Sequence, residues 1–239
     1  MTHKQHTAGV VLAAGMSIRF GQAKQLLKLG NKYLLEWVLD AALASRLDRV
    51  VLVLGHEHQK ILQALGLKTS LARLQIVINR RYREGQSRSL QSGLTQVHKA
   101  FSSIMFLLGD QPMLQAGTID HLLERFWDSD KNICVPVYRG KRGNPTIFSH
   151  ALYERLMAIK GDTGARDIIS ANPDQVLSVE MEDPLVFFDI DSRADLVKLQ
   201  NLLTKSGRKV DVAKKDESAA SSRILSAQRK HQKEHHRSH

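Results

Sequence analysis

The chain has 239 residues, 42% hydrophobic but only 5% aromatic, so aliphatic side chains must fill the core. A single cysteine, Cys134, excludes an internal disulfide framework and a cysteine-based zinc site, and no apolar run reaches the roughly 18–20 residues of a membrane helix. Formal net charge is +11, of which residues 205–239 carry +6; with no basic patch interleaved with aromatics, this argues against a nucleic-acid partner. The first apolar run, Ala8–Ala14, is too short for a signal peptide, so a cytoplasmic location is expected, with no membrane partner.

Ala8–Ala13 is apolar throughout and reads as a strand buried on both faces. Gly15, Ser17 and Gly21 follow, with Arg19, Gln22 and Lys24 among them. A glycine lets backbone N–H groups approach an anion, and the arginine and lysine add positive charge, so this is a candidate phosphate loop. It matches neither common phosphate motif: Phe20 stands where Walker A needs its second glycine, and Ser17 where the dinucleotide fingerprint needs one. A strand followed by a polar surface turn would read the same way.

Helical spacing of apolar residues follows over Leu34–Leu47. Arg49–Leu54 is a second apolar strand, His58–Leu65 a short helix and Leu74–Ile78 a third strand. Ser87–His98 reads as a helix with Leu90, Leu94 and Val97 on one face, and Ser103–Leu108 as a fourth buried strand ending at Gly109-Asp110. Thr118–Trp127 is helical by period. Ile133–Val137 is a strand that carries Cys134, read as a small core residue. Gly140–Pro145 is a basic, glycine-rich turn before a short strand, Thr146–Phe148. Helices are expected over Ala151–Ala158 and Gly164–Ser170, the second capped by Asp162 or Thr163. Val176–Val179 and Val186–Ile190 read as strands, and Ser192–Leu203 as a helix capped by Ser192 or Asp191.

Apolar strands alternating with helices predict an α/β fold: three layers, Rossmann-like, with a mostly parallel sheet. Ligands of such sheets sit beyond the carboxyl ends of the strands. Gly15 and Asp110 both follow a strand directly and share that rim. Asp189 and Asp191, in FFDIDS, are expected to end another strand and to point to one side of it. Carboxylates facing a phosphate loop suit Mg²⁺, which takes one or two of them and completes its shell with phosphate and water. Residues 1–204 form the expected domain; 205–239 read as a basic, disordered tail whose His231, His235, His236 and His239 are solvated.

The stretch LAAGMSIRFGQAK resembles the LAAGxSxRxGxxK signature of nucleotidyltransferases with a glycosyltransferase-A-like (nucleotide-diphospho-sugar transferase) fold. NRRYREGQSRSLQSGL, LLGDQPML, RGNPTIF, GDTGARDII and FDIDSRADL follow in the order of the molybdenum cofactor cytidylyltransferase group, the MobA/MocA-like proteins. The resemblance runs from Ala8 to Leu203. It implies transfer of a nucleoside monophosphate to the phosphate of a molybdopterin-type cofactor, with release of pyrophosphate. Leu12, Ala13, Ala14, Gly15 and Ser17 then match the nucleotide loop, and Arg19 and Lys24 the cations on the triphosphate. Asp110 matches the first Mg²⁺ ligand and Asp191 the second, with Asp189 as its alternate. Gly85, Ser87 and Ser89 fall where the base and ribose lie, and Arg142, Asn144, Asp162 and Arg166 where the acceptor lies. LAAG in place of LAGG implies CTP over GTP. Asn144 departs from the histidine many relatives carry before the proline. Other expectations are a sugar or polyol phosphate acceptor, or a carrier that binds finished cofactor for a client molybdoenzyme.

Overall fold

The computed structural model describes residues 6–17, 20–66, 69, 71–97, 100–162 and 164–207. In chain order these form β1 (Thr7–Ala13), a small antiparallel hairpin of β2 (Lys28–Leu29) and β3 (Lys32–Tyr33), α1 (Leu34–Ala44), β4 (Arg49–Leu54), α2 (His58–Leu65) and β5 (Leu74–Ile78). There follow α3 (Gln86–Leu94), β6 (Ser103–Leu108), α4 (Ala116–Trp127), β7 (Ile133–Tyr138), β8 (Lys141–Arg142) and β9 (Thr146–Ser149). The last are α5 (Tyr153–Met157), α6 (Arg166–Ser170), β10 (Val176–Glu180) and α7 (Arg193–Lys205).

The main sheet runs β10-β7-β9-β6-β1-β4-β5, with β8 paired to β7. Strands β6, β1, β4 and β5 are parallel neighbours, and β10 is parallel to β7. Only β9 lies antiparallel between β6 and β7, and β8 folds back on β7 as a hairpin. The expected mostly parallel, three-layer α/β architecture is the one observed.

Period-2 alternation divides the apolar strands between two layers. Val11, Leu52 and Leu107 pack with Leu35, Leu39 and Leu122 of α1 and α4. Val10, Val53 and Phe106 pack on the other face with Leu90, Leu94 and Ile169 of α3 and α6. Helix α3 lies directly on β1 because Gly93 has no side chain; a Cβ there would stand 2.4 Å from Val10. A third cluster, with Leu29, Leu34, Ile190, Leu199 and Leu203, fastens α7 to the β2–β3 hairpin.

Helix α1 stops at Ala44, short of the expected Leu47, because Ser45 turns its hydroxyl back onto the Ala42 carbonyl at 2.7 Å. Helix α3 stops at Leu94 rather than His98, which lies outside the described residues. The expected strand Val186–Ile190 does not form. Asp183 accepts the Leu185 N–H, and Pro184 opens a 3₁₀ turn over Pro184–Phe187. Its continuation pairs with no strand; the Ile190 N–H goes instead to the Asp110 carbonyl at 3.1 Å. Of the two cap candidates for α7, Ser192 is the one whose side chain accepts a helix N–H, from Asp195 at 3.2 Å. The tail beyond Gly207, with its histidines, lies outside the described residues.

Candidate active site

Chain connections leave β1 toward β4 and β5 on one side, and the remaining strands lie beyond β6 on the other. The carboxyl ends of β1 and β6 therefore meet at the point where strand order reverses, where open α/β sheets bind ligands. The loop after β1 is held from beneath. Ser17 adopts φ +51°, and its hydroxyl oxygen accepts the Lys24 N–H at 3.1 Å. Gln25 is buried and donates from Nε2 to the Ala13 carbonyl at 2.8 Å. Ala23 N–H is received by Glu57 at 2.8 Å. Residues 23–25 thus fold back under the loop, which aims the Lys24 side chain across the rim.

Lys24 Nζ lies 2.5 Å from Asp110 Oδ2 and 3.1 Å from Asp191 Oδ1. Burial alone would lower the Lys24 pKa, but the charge and hydrogen bond of Asp110, with those of Asp191, outweigh it and raise it above the usual value. The backbone bond from Ile190 to Asp110 brings the 189–191 segment to this point. Asp189 makes a different contact: it accepts from Gln111 Nε2 at 2.7 Å. Burial first, then the charge of Asp110, raises the Asp189 pKa, against the opposing hydrogen bond of Gln111.

A cavity of about 360 Å³ opens above these groups. Leu12, Ala13, Ala14, Gly15, Lys24 and Asp110 line it, together with Tyr82, Arg83, Gly85, Gln86, Ser89 and Asp162. Among the described residues, its chain neighbours aside, nothing lies within 4 Å of where a Gly15 Cβ would stand, so the backbone there is open to a ligand. A narrow cavity of about 80 Å³ shares Leu12, Gln86 and Leu108 with the first and reaches Asn144, Thr146 and Arg166. These three also line a further cavity of about 340 Å³, together with Arg142. Shared walls make the three a trough leading from Lys24 to Arg142.

Most of the residues singled out from sequence therefore meet along one trough. Asp189 and Asp191 meet Gln111 and Lys24 but are not among the residues lining the three cavities, and Ser87 is buried, its backbone N–H donating to the Gly161 carbonyl at 3.1 Å. Ser17 holds Lys24 rather than lining the cavity. Asp162 lines the first cavity, apart from Arg142, Asn144 and Arg166, and caps α3 rather than the expected following helix: its Oδ1 accepts the Gln86 N–H at 2.9 Å. Arg19 and Thr163 lie outside the described residues. Sequence reasoning missed Gln25, Gln111, Tyr82, Arg83 and Gln86. Gln25 adjoins Lys24 and Gln111 adjoins Asp110, but their bonds to Ala13 and Asp189 are long-range.

Among the described residues no group of three or more His, Cys, Asp or Glu could hold a metal unaided. Two carboxylates suffice for a hard cation that keeps phosphate and water ligands. Among the described residues Asp110 Oδ1 is buried with no hydrogen-bond partner, and the Asp191 side chain is 59% exposed. An orphaned carboxylate oxygen beside an accessible one fits such a cation.

A parallel sheet with a cation and two carboxylates at its switch point, beneath an elongated trough, defines a nucleotidyltransferase-type α/β protein. Residues 9–176 match the MobA-like NTP transferase domain, and the chain belongs to that family. It is 26% identical over 206 residues to the "Probable molybdenum cofactor guanylyltransferase" of Thermococcus sibiricus, covering 82% of this chain and 98% of that one. It is 32% identical over 168 residues to the "Purine catabolism protein PucB" of Bacillus subtilis, covering 68% and 80%. Among solved structures, the Rv0371c homolog from Mycobacterium sp. strain JC1 is 30% identical, with a TM-score of 0.73 over 84% of this chain and 98% of that one. Rv0371c of Mycobacterium tuberculosis in complex with manganese is 27% identical, with a TM-score of 0.69 over 82% and 99%.

Proposed function

We propose that this nucleotidyltransferase moves a nucleoside monophosphate from a nucleoside triphosphate to the phosphate of a molybdopterin-type cofactor. An oxygen of the acceptor phosphate forms a bond to the α-phosphorus. The bond from that phosphorus to the β-phosphate bridge breaks, and pyrophosphate leaves with the electron pair. No covalent nucleophile is required; catalysis is positioning and charge neutralisation.

The observation that carries this reading is Lys24 meeting Asp110 and Asp191 at one end of a trough whose far end holds Arg142. Lys24 stays protonated at neutral pH and offers its donors to the triphosphate and then to the leaving pyrophosphate. Arg19, from its place in the signature, shares that role. Leu12 through Gly15 bring backbone against the nucleotide, with Gly85 and Ser89 toward the ribose and base. A divalent cation, Mg²⁺ in our reading, would be held by Asp110 and Asp191 and would neutralise phosphate charge; the manganese in Rv0371c supports a divalent ion. Arg142, Asn144 and Arg166 take the acceptor. A guanidinium suits its anionic phosphate.

CTP is the donor we favour, because Ala14 places a methyl where LAGG relatives have none. Ala14 is buried close to Gly55 and lines the cavity. Guanylyl transfer is the competing reading, favoured by the name of the Thermococcus relative. The test is pyrophosphate release with Mg²⁺ or Mn²⁺, each of the four nucleoside triphosphates, and molybdopterin cofactor. Release that requires the cofactor and is abolished by Asp110→Asn supports the proposal, and the productive triphosphate names the base. Release only with a sugar or polyol phosphate changes the acceptor. Tight cofactor binding without pyrophosphate means a carrier, with delivery to a client molybdoenzyme the remaining role.

A further inference from the structure

Asp162 precedes α6 in sequence, yet its side chain lines the cavity that holds Lys24 and Asp110, not the one that holds Arg142. Its Oδ1 accepts the Gln86 N–H at 2.9 Å, and the adjacent Gly161 carbonyl accepts the Ser87 N–H at 3.1 Å. These are the first N–H groups of α3, so the carboxylate also sits on the positive end of that helix. Gly85 makes the clasp possible: with φ +105°, it lets its backbone approach so closely that a Cβ would lie 2.7 Å from the Gly161 carbonyl oxygen and 2.9 Å from Asp162 Oδ1.

The clasp spends one carboxylate oxygen and orients the other. Asp162 lines the 360 Å³ cavity, and no cation lies within salt-bridge distance of it among the described residues. A carboxylate there repels phosphate. With the triphosphate on Lys24, the wall at Asp162 suits an uncharged part of the nucleotide that donates hydrogen bonds, although Arg83 lines the same cavity.

We propose that Asp162 is a base-specificity residue: its Oδ2 accepts from the amino-bearing edge of the base, N4 of cytosine or N1 and N2 of guanine, and rejects bases with a carbonyl in that position. This rests on reading the cavity as a nucleoside triphosphate site. A site built to accept from a donor leaves its oxygen unpaired, or facing another oxygen, when the donor is absent. The turn that carries Asp162 continues through Gly164 to Arg166, so base recognition and the acceptor subsite share one short segment.

Two substitutions change what faces the base, and the first of them keeps the helix cap. Asp162→Asn retains an oxygen for Gln86 N–H and turns an amide donor toward the base. Asp162→Ser, whose hydroxyl stands about where the Asp162 Cγ stands, offers no second acceptor. Equilibrium binding of CTP, UTP, GTP and xanthosine triphosphate, with Mn²⁺, is measured for each folded variant and for the wild type. The expected wild type prefers the amino base of its pair, CTP over UTP or GTP over xanthosine triphosphate, by about tenfold or more. Asp162→Asn reverses that preference, and Asp162→Ser flattens it. Unchanged base discrimination in both variants, with only the acceptor KM raised, overturns the assignment and returns Asp162 to the acceptor. Equal loss of every nucleotide, with lost preference for ribose over 2′-deoxyribose, also overturns it and assigns Asp162 to the sugar. A wild type that binds no nucleoside triphosphate refutes the proposed function itself, a result distinct from either.

Discussion

Lys24→Met separates what Lys24 does for the fold from what it does for the triphosphate. The Lys24 and Asp110 side chains are 19% and 18% exposed, whereas Asp191 is 59% exposed. Among the described residues, removing the ammonium leaves Asp110 without a charge partner, and its other oxygen already has no hydrogen bond. Breaking a fully buried pair from one side costs about 3–5 kcal/mol. Solvent reaches this one, so we discount it to about 1–2 kcal/mol. In a chain of this size that lowers Tm by about 2–8 °C. The folded Lys24 pKa lies above 10.5, so the pair's contribution is complete below that pH and is lost as pH rises through the folded pKa. The deficit of the variant is therefore constant through neutral pH. Mn²⁺ without nucleotide should then raise the Tm of Lys24→Met more than that of wild type, because the carboxylates no longer hold a competing cation, while pyrophosphate release stays lost. Thermal melts with and without Mn²⁺ measure both. Equal melting temperatures, or equal Mn²⁺ shifts, would refute the reasoning.

Asp189→Asn keeps an oxygen for Gln111 and removes a carboxylate that burial and Asp110 push above its usual pKa of 3.8. Since the native state holds that proton more tightly, stability falls as pH rises from 3.8 through the folded pKa; the variant should gain stability at pH 7 and lose the advantage below 3.8, read as urea midpoints at both pH values. If Asp191 rather than Asp189 is the second metal ligand, Asp189→Asn also keeps most of its pyrophosphate release, whereas Asp191→Asn does not. Gly85→Ala should weaken nucleotide binding and cost about 1–3 kcal/mol from its backbone conformation alone (φ +105°, ψ +167°), with the approach to Gly161 adding to this; calorimetric titration and a denaturant midpoint both at wild-type values would contradict that account. Burial pushes the Cys134 thiol up to about 12, so a thiol reagent should modify it only as the protein unfolds, and rapid labelling of the native protein would place it elsewhere.

Much of the chain was legible locally. Arg49–Leu54, His58–Leu65, Leu74–Ile78 and Ser103–Leu108 form with the bounds expected from their apolar runs and the polar or glycine residues that close them. Continuous apolar runs also announced a sheet covered on both faces. The segment Val186–Ile190 failed for a local reason that hydropathy masks: Asp183 and Pro184 nucleate a turn within an apolar run. The sequence likewise placed Gly15, Lys24 and Asp110 just after the strands whose carboxyl ends form the rim.

What the sequence determined by itself, then, was the alternation of elements and the residues that leave their strands at that rim, because both follow from near neighbours. Tertiary structure alone decided the partners. The order of strands set β1 beside β6, and a single backbone bond from Ile190 to Asp110 brought Asp191 to Lys24. A turn that reads as the cap of α6 instead caps α3, 76 residues earlier, and sets Asp162 on the cavity lined by Lys24 and Asp110, apart from Arg142. A hydrogen-bonding group carries no mark of its distant partner; only the packed sheet, by bringing chain ends together, supplies one.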